Sequence, residues 1–191
     1  IFFVFISAVK QYIINNPNEK IIGKYNNYLI FKNVYFHTIN EKSLYITYPK
    51  EYFDHNHYGP IFSLFIAPFA ILPDAIGMVL WCVINAVALV YAISQINLES
   101  SKINLILWIC AHEFLTAILG FQFNPIMTSI IVLSYVYINE GKDFWSAFLI
   151  ILGTFIKLYG IVGLAFFFFS KNKIKFIGSL VFWSVVFFVL P

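Results

Sequence analysis

The segment YPKEYFDHNHYGP, residues 48–60, contains the side chains of this chain that are best suited to acid–base chemistry. Asp54, His55 and His57 lie within four positions of one another, Lys50 precedes them, and an apolar run begins after Pro60. A carboxylate or an imidazole can take a proton from a hydroxyl group, and an ammonium group can offset the charge of a phosphate. The segment therefore predicts a reaction centre at the edge of an apolar region or, in the simpler alternative, a solvated loop.

The composition places these side chains in an integral membrane protein. Of the 191 residues, 61% are hydrophobic and only 11% are charged, which is outside the range of soluble domains. The net charge of +3 rests on lysine, because the sequence contains no arginine, so any cationic phosphate contact would be a lysine. Cys82 and Cys110 lie in apolar stretches and are predicted to be unpaired. Since the sequence begins at Ile1 and ends inside an apolar run, we expect a fragment of a longer chain.

The apolar stretches predict an all-α, polytopic membrane protein that forms one domain over residues 1–191. The tail of a first span at 1–14 precedes a polar loop at 15–58, in which residues 25–39 have the spacing of a helix lying at the membrane interface. A crossing takes about 20 residues. Further spans are predicted at 60–73, 75–95, 103–120, 124–138, 144–169 and 176–191. The first and fourth of these are short, so tilted spans, half-spans and a re-entrant pair all remain possible.

Lysine-rich and proline-containing connections orient these spans. SKNKIK, residues 170–175, places three lysines between two apolar segments and predicts a cytoplasmic loop. Five predicted crossings separate it from the loop 15–58, which therefore faces outward. In ILPDAIG, residues 71–77, Pro73 is expected to end one helix and Asp74 to cap the next.

Ionisable residues inside apolar stretches are functional candidates, because burying them is costly. His112 and Glu113 begin a pattern like that of a zinc-binding helix, but position 116 is Thr, so a polar pair at a helix interface is favoured over a metal site. Lys157 lies within the longest predicted span, where it either extends to the membrane surface or contacts a lipid phosphate. Phosphate-binding glycine loops, serine-hydrolase motifs and nucleic-acid-binding motifs are absent from the sequence.

The order of several short motifs resembles glycosyltransferase family 87, the polyprenol-phosphate-mannose-dependent mannosyltransferases with the GT-C fold. The resemblance runs from about residue 24 onward. SLYITYP includes the Leu-Tyr of the family at 44–45, and YGPIFSLFIAPFAILP matches its proline-rich entry to the second span. GFQFNP places Gln122 and Asn124 at the family's Gly-Gln-x-Asn, with Phe121 inserted, and Lys157 matches a lysine in a later span.

One departure from the family affects the predicted chemistry. Counting back from Tyr45, the catalytic Asp of the family falls on Asn27, and an amide cannot take a proton from a sugar hydroxyl. Asp54 is therefore predicted as the base, with His57 as the second candidate and Glu41 and Glu51 as further alternatives; Glu51 could instead be paired with its neighbour Lys50. The remaining residues predicted to bind substrate are His55, Tyr48, Tyr58, Lys50, Gln122, Asn124 and Lys157.

The resemblance implies a GT-C-like helical bundle in the cell (inner) membrane that moves a hexose, mannose above all, from a polyprenyl-phosphate donor. The acceptor is a lipid or a glycan, the site faces outward, and neither a metal nor another cofactor is expected. Two alternatives remain open, namely an inactive family member that binds the lipid carrier and a membrane transporter.

Overall fold

The computed structural model of the protein describes residues 22–190. Over this range the chain forms helices joined by turns and loops, without a β-strand in the part described. The all-α prediction is therefore confirmed for these residues. The predicted tail of the first span, residues 1–14, lies outside them.

The described residues contain seven α-helices and one long 3₁₀ helix. In chain order they are α1 (Ile22–Ile39), α2 (Ile61–Ala70), α3 (Asp74–Ser94), α4 (Ser100–Leu119), α5 (Asn124–Asn139), α6 (Asp143–Ile156), the 3₁₀ helix (Leu158–Phe169) and α7 (Lys173–Val189). Among them, α3 and α4 have the length and the apolar composition that a membrane crossing requires.

The helix predicted at 25–39 is confirmed as α1. Its apolar face is buried within the protein, since Tyr28, Phe31 and Val34 are at most 1% exposed, whereas Tyr35 is half-buried. The Tyr28 hydroxyl donates to the carbonyl of Phe69 at 3.1 Å, which fixes α1 to the end of α2. The aromatic residues of α1 thus stabilise the fold, and the position of α1 at a membrane interface stays a prediction.

The apolar stretch 60–73 forms only the ten residues of α2. Pro60 precedes the helix, Pro68 lies inside it and Pro73 follows it. Ten residues rise about 15 Å, half of a bilayer core of about 30 Å, so α2 is too short to cross. The turn predicted at 71–77 is confirmed, and Asp74 begins α3 with its carboxylate paired to Lys32 of α1.

The single span predicted at 144–169 is wrong. Lys157 has extended backbone angles (φ −149°, ψ 128°), so α6 ends at Ile156 and the chain reverses into the 3₁₀ helix. The reversal is visible at Gly163, where a Cβ atom would lie 2.6 Å from Cγ1 of Ile150 on α6. We call this pair of antiparallel legs, Asp143–Phe169, the α6 hairpin.

The chain divides into two compact units. Unit 1 contains the described residues up to His57 with Phe62–Val87 and Ile109–Pro125, and unit 2 contains Tyr58–Ile61, Ala88–Trp108 and the residues from Ile126 onward. An aromatic cluster forms the centre of unit 1, and its fully buried members are Phe31, Phe62, Trp81 and Phe123. In unit 2 the core contains Ile138, Ala147, Ile150 and Phe176.

Candidate active site

Asp54 and the two histidines that follow it form an exposed cluster in the loop between α1 and α2. The Oδ1 atom of Asp54 accepts the backbone N–H of His55 at 2.7 Å. It also lies 3.6 Å from Nδ1 of His55 and 3.8 Å from Nε2 of His57. Each of the three side chains is more than half exposed. The structure thus brings together a carboxylate and two imidazoles that are open to a substrate.

The charge state of Asp54 follows from these contacts. The hydrogen bond from the His55 N–H is the largest influence and lowers the pKa of Asp54, and the charge of the His57 imidazole, when protonated, acts in the same direction. The carboxylate is therefore ionised at neutral pH and able to accept a proton.

Asn27 lies on α1 and contacts the junction between α4 and α5. Its Nδ2 donates to the carbonyl of Gly120 at 2.7 Å. The ring of Phe121, the next residue, packs against Tyr25 and Tyr28 with centroid distances of 5.6 and 6.2 Å. Asn27, which the resemblance aligns with the catalytic Asp of the family, thus lies beside the GFQFNP motif, as part of the packing of unit 1.

A second amide on α1 fixes the loop that carries Asp54. The Oδ1 atom of Asn26 accepts the backbone N–H of Phe53 at 2.8 Å, and Phe53 directly precedes Asp54. Asn26 and Asn27 are adjacent in α1, so one turn of this helix holds both the loop and the GFQFNP motif. The sequence places these three segments tens of residues apart, and the tertiary structure of unit 1 brings them together.

The GFQFNP motif forms a tight connection between α4 and α5. Phe121 has a positive φ of 51°, which is uncommon for a residue with a Cβ, and its carbonyl accepts the indole N–H of Trp81 at 3.0 Å. The Nδ2 of Asn124 donates to Oε1 of Gln122 at 2.7 Å. Gln122 is half-buried and Asn124 is exposed, so their amides orient each other at the surface of unit 1.

Glu51 pairs with a histidine and not with its neighbour Lys50, which corrects the pairing considered from the sequence. Its Oε2 lies 2.8 Å from Nε2 of the buried His37 at the end of α1. Tyr48 lies against the same imidazole with a centroid distance of 3.9 Å, so this predicted substrate residue contacts protein. Burial next to Glu51 raises the pKa of Tyr52 to about 12, and its ring completes the cluster. These contacts hold the first half of the loop on α1, while the side chain of Lys50 is exposed.

Lys157 lies in unit 2 at the tip of the α6 hairpin. Its Nζ is 5.3 Å from the ring centre of Tyr58 and 4.8 Å from that of Tyr159. Tyr58 is 8% exposed and Tyr159 is 60% exposed, so the ammonium group lies between one buried and one accessible ring. The Lys157 ammonium group therefore has a defined position at the tip, because the chain reverses there and two rings flank the charge.

The pair His112 and Glu113 does not lie at a helix interface, and that expectation is wrong. Both side chains are more than 80% exposed on α4, with His112 Nδ1 and Glu113 Oε1 3.6 Å apart. Within residues 22–190 no group of three His, Cys, Asp or Glu side chains is arranged to hold a metal ion. Cys82 and Cys110 are both free thiols, as predicted.

A comparison with known protein families decides the class of this chain. The sequence model of glycosyltransferase family 87 matches residues 56–191, more than half of the chain. The chain belongs to glycosyltransferase family 87. The suspected family is therefore confirmed. No curated protein and no solved structure matches the chain significantly.

The family match divides the predicted site residues into two groups. Those within the matched range are His57, Tyr58, Gln122, Asn124 and Lys157, and those that precede it are Asn27, Tyr48, Lys50, Asp54 and His55. The roles of both groups stay predictions. A glycosyltransferase needs a sugar donor and an acceptor, and two membrane-length helices in a member of this family favour a membrane protein.

Sequence reasoning missed Asn26, His37 and Tyr159. His37 follows Val34 by three positions on the buried face of α1, so the helical periodicity contained a signal for its burial. Tyr159 follows Lys157 by two positions, and a continuous helix would have pointed it elsewhere. Only the reversal of the chain at Lys157 places the Tyr159 ring beside the ammonium group.

Proposed function

We propose that this family 87 member transfers a hexose, mannose above all, from a polyprenyl-phosphate donor to a lipid or glycan acceptor at the outer face of the cell membrane. Family membership supports glycosyl transfer, and the observation that favours a reaction in the 48–60 segment is the exposed Asp54 cluster. The identity of the donor comes from the resemblance to the polyprenol-phosphate-mannose-dependent enzymes.

In the proposed reaction Asp54 acts as the general base. The acceptor hydroxyl oxygen attacks C1 of the hexose, its proton passes to the Asp54 carboxylate, and the bond between C1 and the phosphate oxygen breaks. The polyprenyl phosphate leaves with the electron pair of that bond. An ionised carboxylate suits this role, and His55 and His57 are close enough to orient it or to hold sugar hydroxyls. His57 is the second candidate for the base.

The leaving phosphate needs positive charge, and this chain supplies it from lysine. Lys157 is the candidate that the structure favours over Lys50, because its ammonium group has a defined position between Tyr58 and Tyr159. Gln122 and Asn124 are proposed to bind hydroxyl groups of the substrate through the amides that orient each other.

The proposed location is the cell membrane, crossed several times, with the loop 40–60 outside. Asp143 and Ser170 lie together at the base of the α6 hairpin, so Lys142 shares that end of unit 2 with Lys171, Lys173 and Lys175. Four lysines at one end favour a cytoplasmic position. Because α2 is too short to cross, we count as crossings α3, α4 and the shorter α5, whose 16 residues rise about 24 Å. This odd number leaves the loop and the lysine-rich end on opposite faces.

The decisive experiment replaces Asp54 by Asn, which retains size and hydrogen bonding but removes the basic oxygen. We expect transfer of labelled mannose from polyprenyl-phosphate mannose to a host membrane and glycan extract to fall by about two to four orders of magnitude. Donor binding should persist. Glu99→Gln is the matched control, because Glu99 is an exposed acid in the α3–α4 turn, and it should leave transfer unchanged. Equal transfer in Asp54→Asn and in the control would reject Asp54 as the base.

A second candidate function is binding of the lipid carrier without catalysis. It is favoured by Asn27, whose amide stands at the aligned position of the family's Asp and is engaged by the Gly120 carbonyl. Under this alternative the wild-type protein transfers no sugar, so variants of Asp54, His57 or Glu41 have no effect on transfer. Lys157→Met still weakens binding of polyprenyl phosphate.

A further inference from the structure

The α6 hairpin holds Lys157 between two unequal legs. Gly160 lies so close to α6 that a Cβ atom there would be 2.2 Å from the backbone nitrogen of Thr154. Gly163 is similarly close to the side chain of Ile150. The return leg therefore lies directly against α6 from the tip toward the base.

The lengths of the two legs explain why the return leg is a 3₁₀ helix. The 14 residues of α6 rise about 21 Å at 1.5 Å per residue. The 12 residues of the return leg rise about 24 Å as a 3₁₀ helix, but only about 18 Å as an α-helix. An α-helical return leg would thus be too short to reach from the tip to the start of α6. Since 3₁₀ runs longer than about four residues are uncommon, something must hold the leg in its extended form.

The base of the hairpin contains such a restraint. The Ser170 hydroxyl donates to Oδ1 of Asp143 at 2.6 Å, and the two residues are only 3% and 2% exposed. Ser170 follows the return leg directly and Asp143 begins α6, so this bond joins the two ends of the hairpin. The Ser170 oxygen also accepts the backbone N–H of Asn172 at 3.2 Å, and the Asn172 side chain caps α7. We call the Ser170–Asp143 bond the base clasp.

The tip of the hairpin is fixed as well. The backbone N–H of Gly59 donates to the carbonyl of Ile156 at 2.9 Å. A Cβ atom on Gly59 would lie 1.9 Å from the carbonyl oxygen of Phe155, so only glycine allows this approach. With both ends held, the return leg cannot shorten, and the direction of its first residues, including Tyr159, is set.

We infer that Asp143 and Ser170 are positioning residues for Lys157: the base clasp keeps the return leg in its 3₁₀ form and thereby holds the Lys157 ammonium group between Tyr58 and Tyr159, ready for the donor phosphate. The inference rests on the proposed phosphate-binding role of Lys157. When the clasp is broken, the return leg can relax toward an α-helix and shorten by up to about 6 Å. Successive residues then turn by about 100° and not by about 120°, so Tyr159 leaves the ammonium group and Lys157 loses its position.

The test is a double-mutant cycle in the full-length protein in lipid nanodiscs. Binding of a polyprenyl phosphate is measured for the wild type, Ser170→Ala, Lys157→Met and the double variant. We expect Lys157→Met to weaken binding about tenfold or more and Ser170→Ala to weaken it about two- to tenfold. In the Lys157→Met background the additional effect of Ser170→Ala should vanish, because no ammonium group remains to be positioned.

Two further variants separate positioning from general stability. Asp143→Asn retains an oxygen that accepts the Ser170 hydroxyl and should bind within about twofold of the wild type, whereas Asp143→Ala should resemble Ser170→Ala. Ser179→Ala is the matched control, because Ser179 is a buried serine of α7 whose hydroxyl donates to its own helix at the Lys175 carbonyl. Its binding should equal that of the wild type.

Each result decides a different statement. Unchanged binding in Lys157→Met rejects the proposed role of Lys157, and the inference about the clasp falls with it. Weakened binding in Lys157→Met together with unchanged binding in Ser170→Ala overturns the clasp alone. Equal losses from Ser170→Ala in both backgrounds show a purely structural serine and overturn the clasp as well. A loss confined to the background that retains Lys157 supports it.

Discussion

The side-chain amide of Asn27 donates to the backbone carbonyl of Gly120, a residue 93 positions further along the chain. This contact places the start of α1 beside the GFQFNP motif. A carboxylate in place of the amide could not donate this hydrogen bond at neutral pH. The change from the Asp expected by resemblance to Asn is therefore matched by a contact that requires an amide.

The first prediction concerns Asn27→Asp. An ionised carboxylate would face the Gly120 carbonyl oxygen, so we expect the free energy of unfolding to fall by about 1 to 3 kcal/mol at pH 7. Because the folded state disfavours the charged form, the pKa of the new carboxyl is raised by folding. The stability is then greatest at low pH, where the protonated acid can donate, and is lost as the pH rises through the folded pKa.

Asn27→Ala is the control for this change, since it removes the donor without adding a charge. The measurement is thermal unfolding in detergent between pH 4 and pH 8. A loss of stability in Asn27→Asp that is the same at every pH would contradict the prediction. A gain in sugar transfer in Asn27→Asp would show, separately, that this position faces the reaction.

The second prediction concerns the pH dependence of transfer. The pKa of Asp54 is lowered, so its carboxylate stays ionised even somewhat below the ordinary titration range of an aspartic acid, and its protonation should not limit transfer between pH 5 and pH 8. The largest cause is the His55 backbone N–H, which His55→Ala retains. His55→Ala removes only the weaker side-chain contributions of His55, so we expect the acid limb of the pH–rate profile to move slightly to higher pH while the effect of the backbone hydrogen bond persists.

His57→Ala should move the same acid limb to slightly higher pH, because it removes a favourable charge near Asp54. The profiles are measured as the initial rate of transfer at low donor concentration. An acid limb that stays in place or moves to lower pH in His57→Ala would contradict the influence assigned to His57.

The third prediction compares two glycines. In Gly59→Ala the new Cβ would meet the Phe155 carbonyl oxygen at 1.9 Å, so the tip of the hairpin must move. We expect a loss of stability of about 1 to 3 kcal/mol or more, together with weaker binding of polyprenyl phosphate. A Cβ on Gly178 of α7 would have no atom within 4 Å, so Gly178→Ala should raise the stability by about 0.5 to 1 kcal/mol. Equal unfolding temperatures for the two variants would disprove the close approach at Gly59.

The fourth prediction concerns the proposed topology. Single cysteines at Tyr45 and Lys171 are introduced after replacement of Cys82 and Cys110, and intact cells are treated with a thiol reagent that does not cross the membrane. Tyr45 is an exposed loop residue, and Lys171 is an exposed residue at the base of the hairpin. Position 45 should react and position 171 should react only after lysis. The reverse pattern would place the candidate site on the cytoplasmic face.

The sequence alone determined the helical class, the family and most helix positions. Hydrophobic stretches and proline residues are local properties, so α1, α3, α4 and the turn before Asp74 could be located from them. The order of short motifs identified glycosyltransferase family 87, because that order is a property of the chain and not of its packing.

Only the tertiary structure decided which distant residues meet and where the apolar stretch 144–169 reverses. The composition of this apolar run is compatible with one long helix and equally with two short antiparallel legs. The choice between them depends on contacts at both ends of the hairpin, namely the Gly59–Ile156 and Asp143–Ser170 bonds. The pairing of Glu51 with His37 and the approach of Asn27 to Gly120 also join segments far apart in sequence. Such contacts depend on how the helices pack against each other, which the local pattern of hydrophobic residues does not specify.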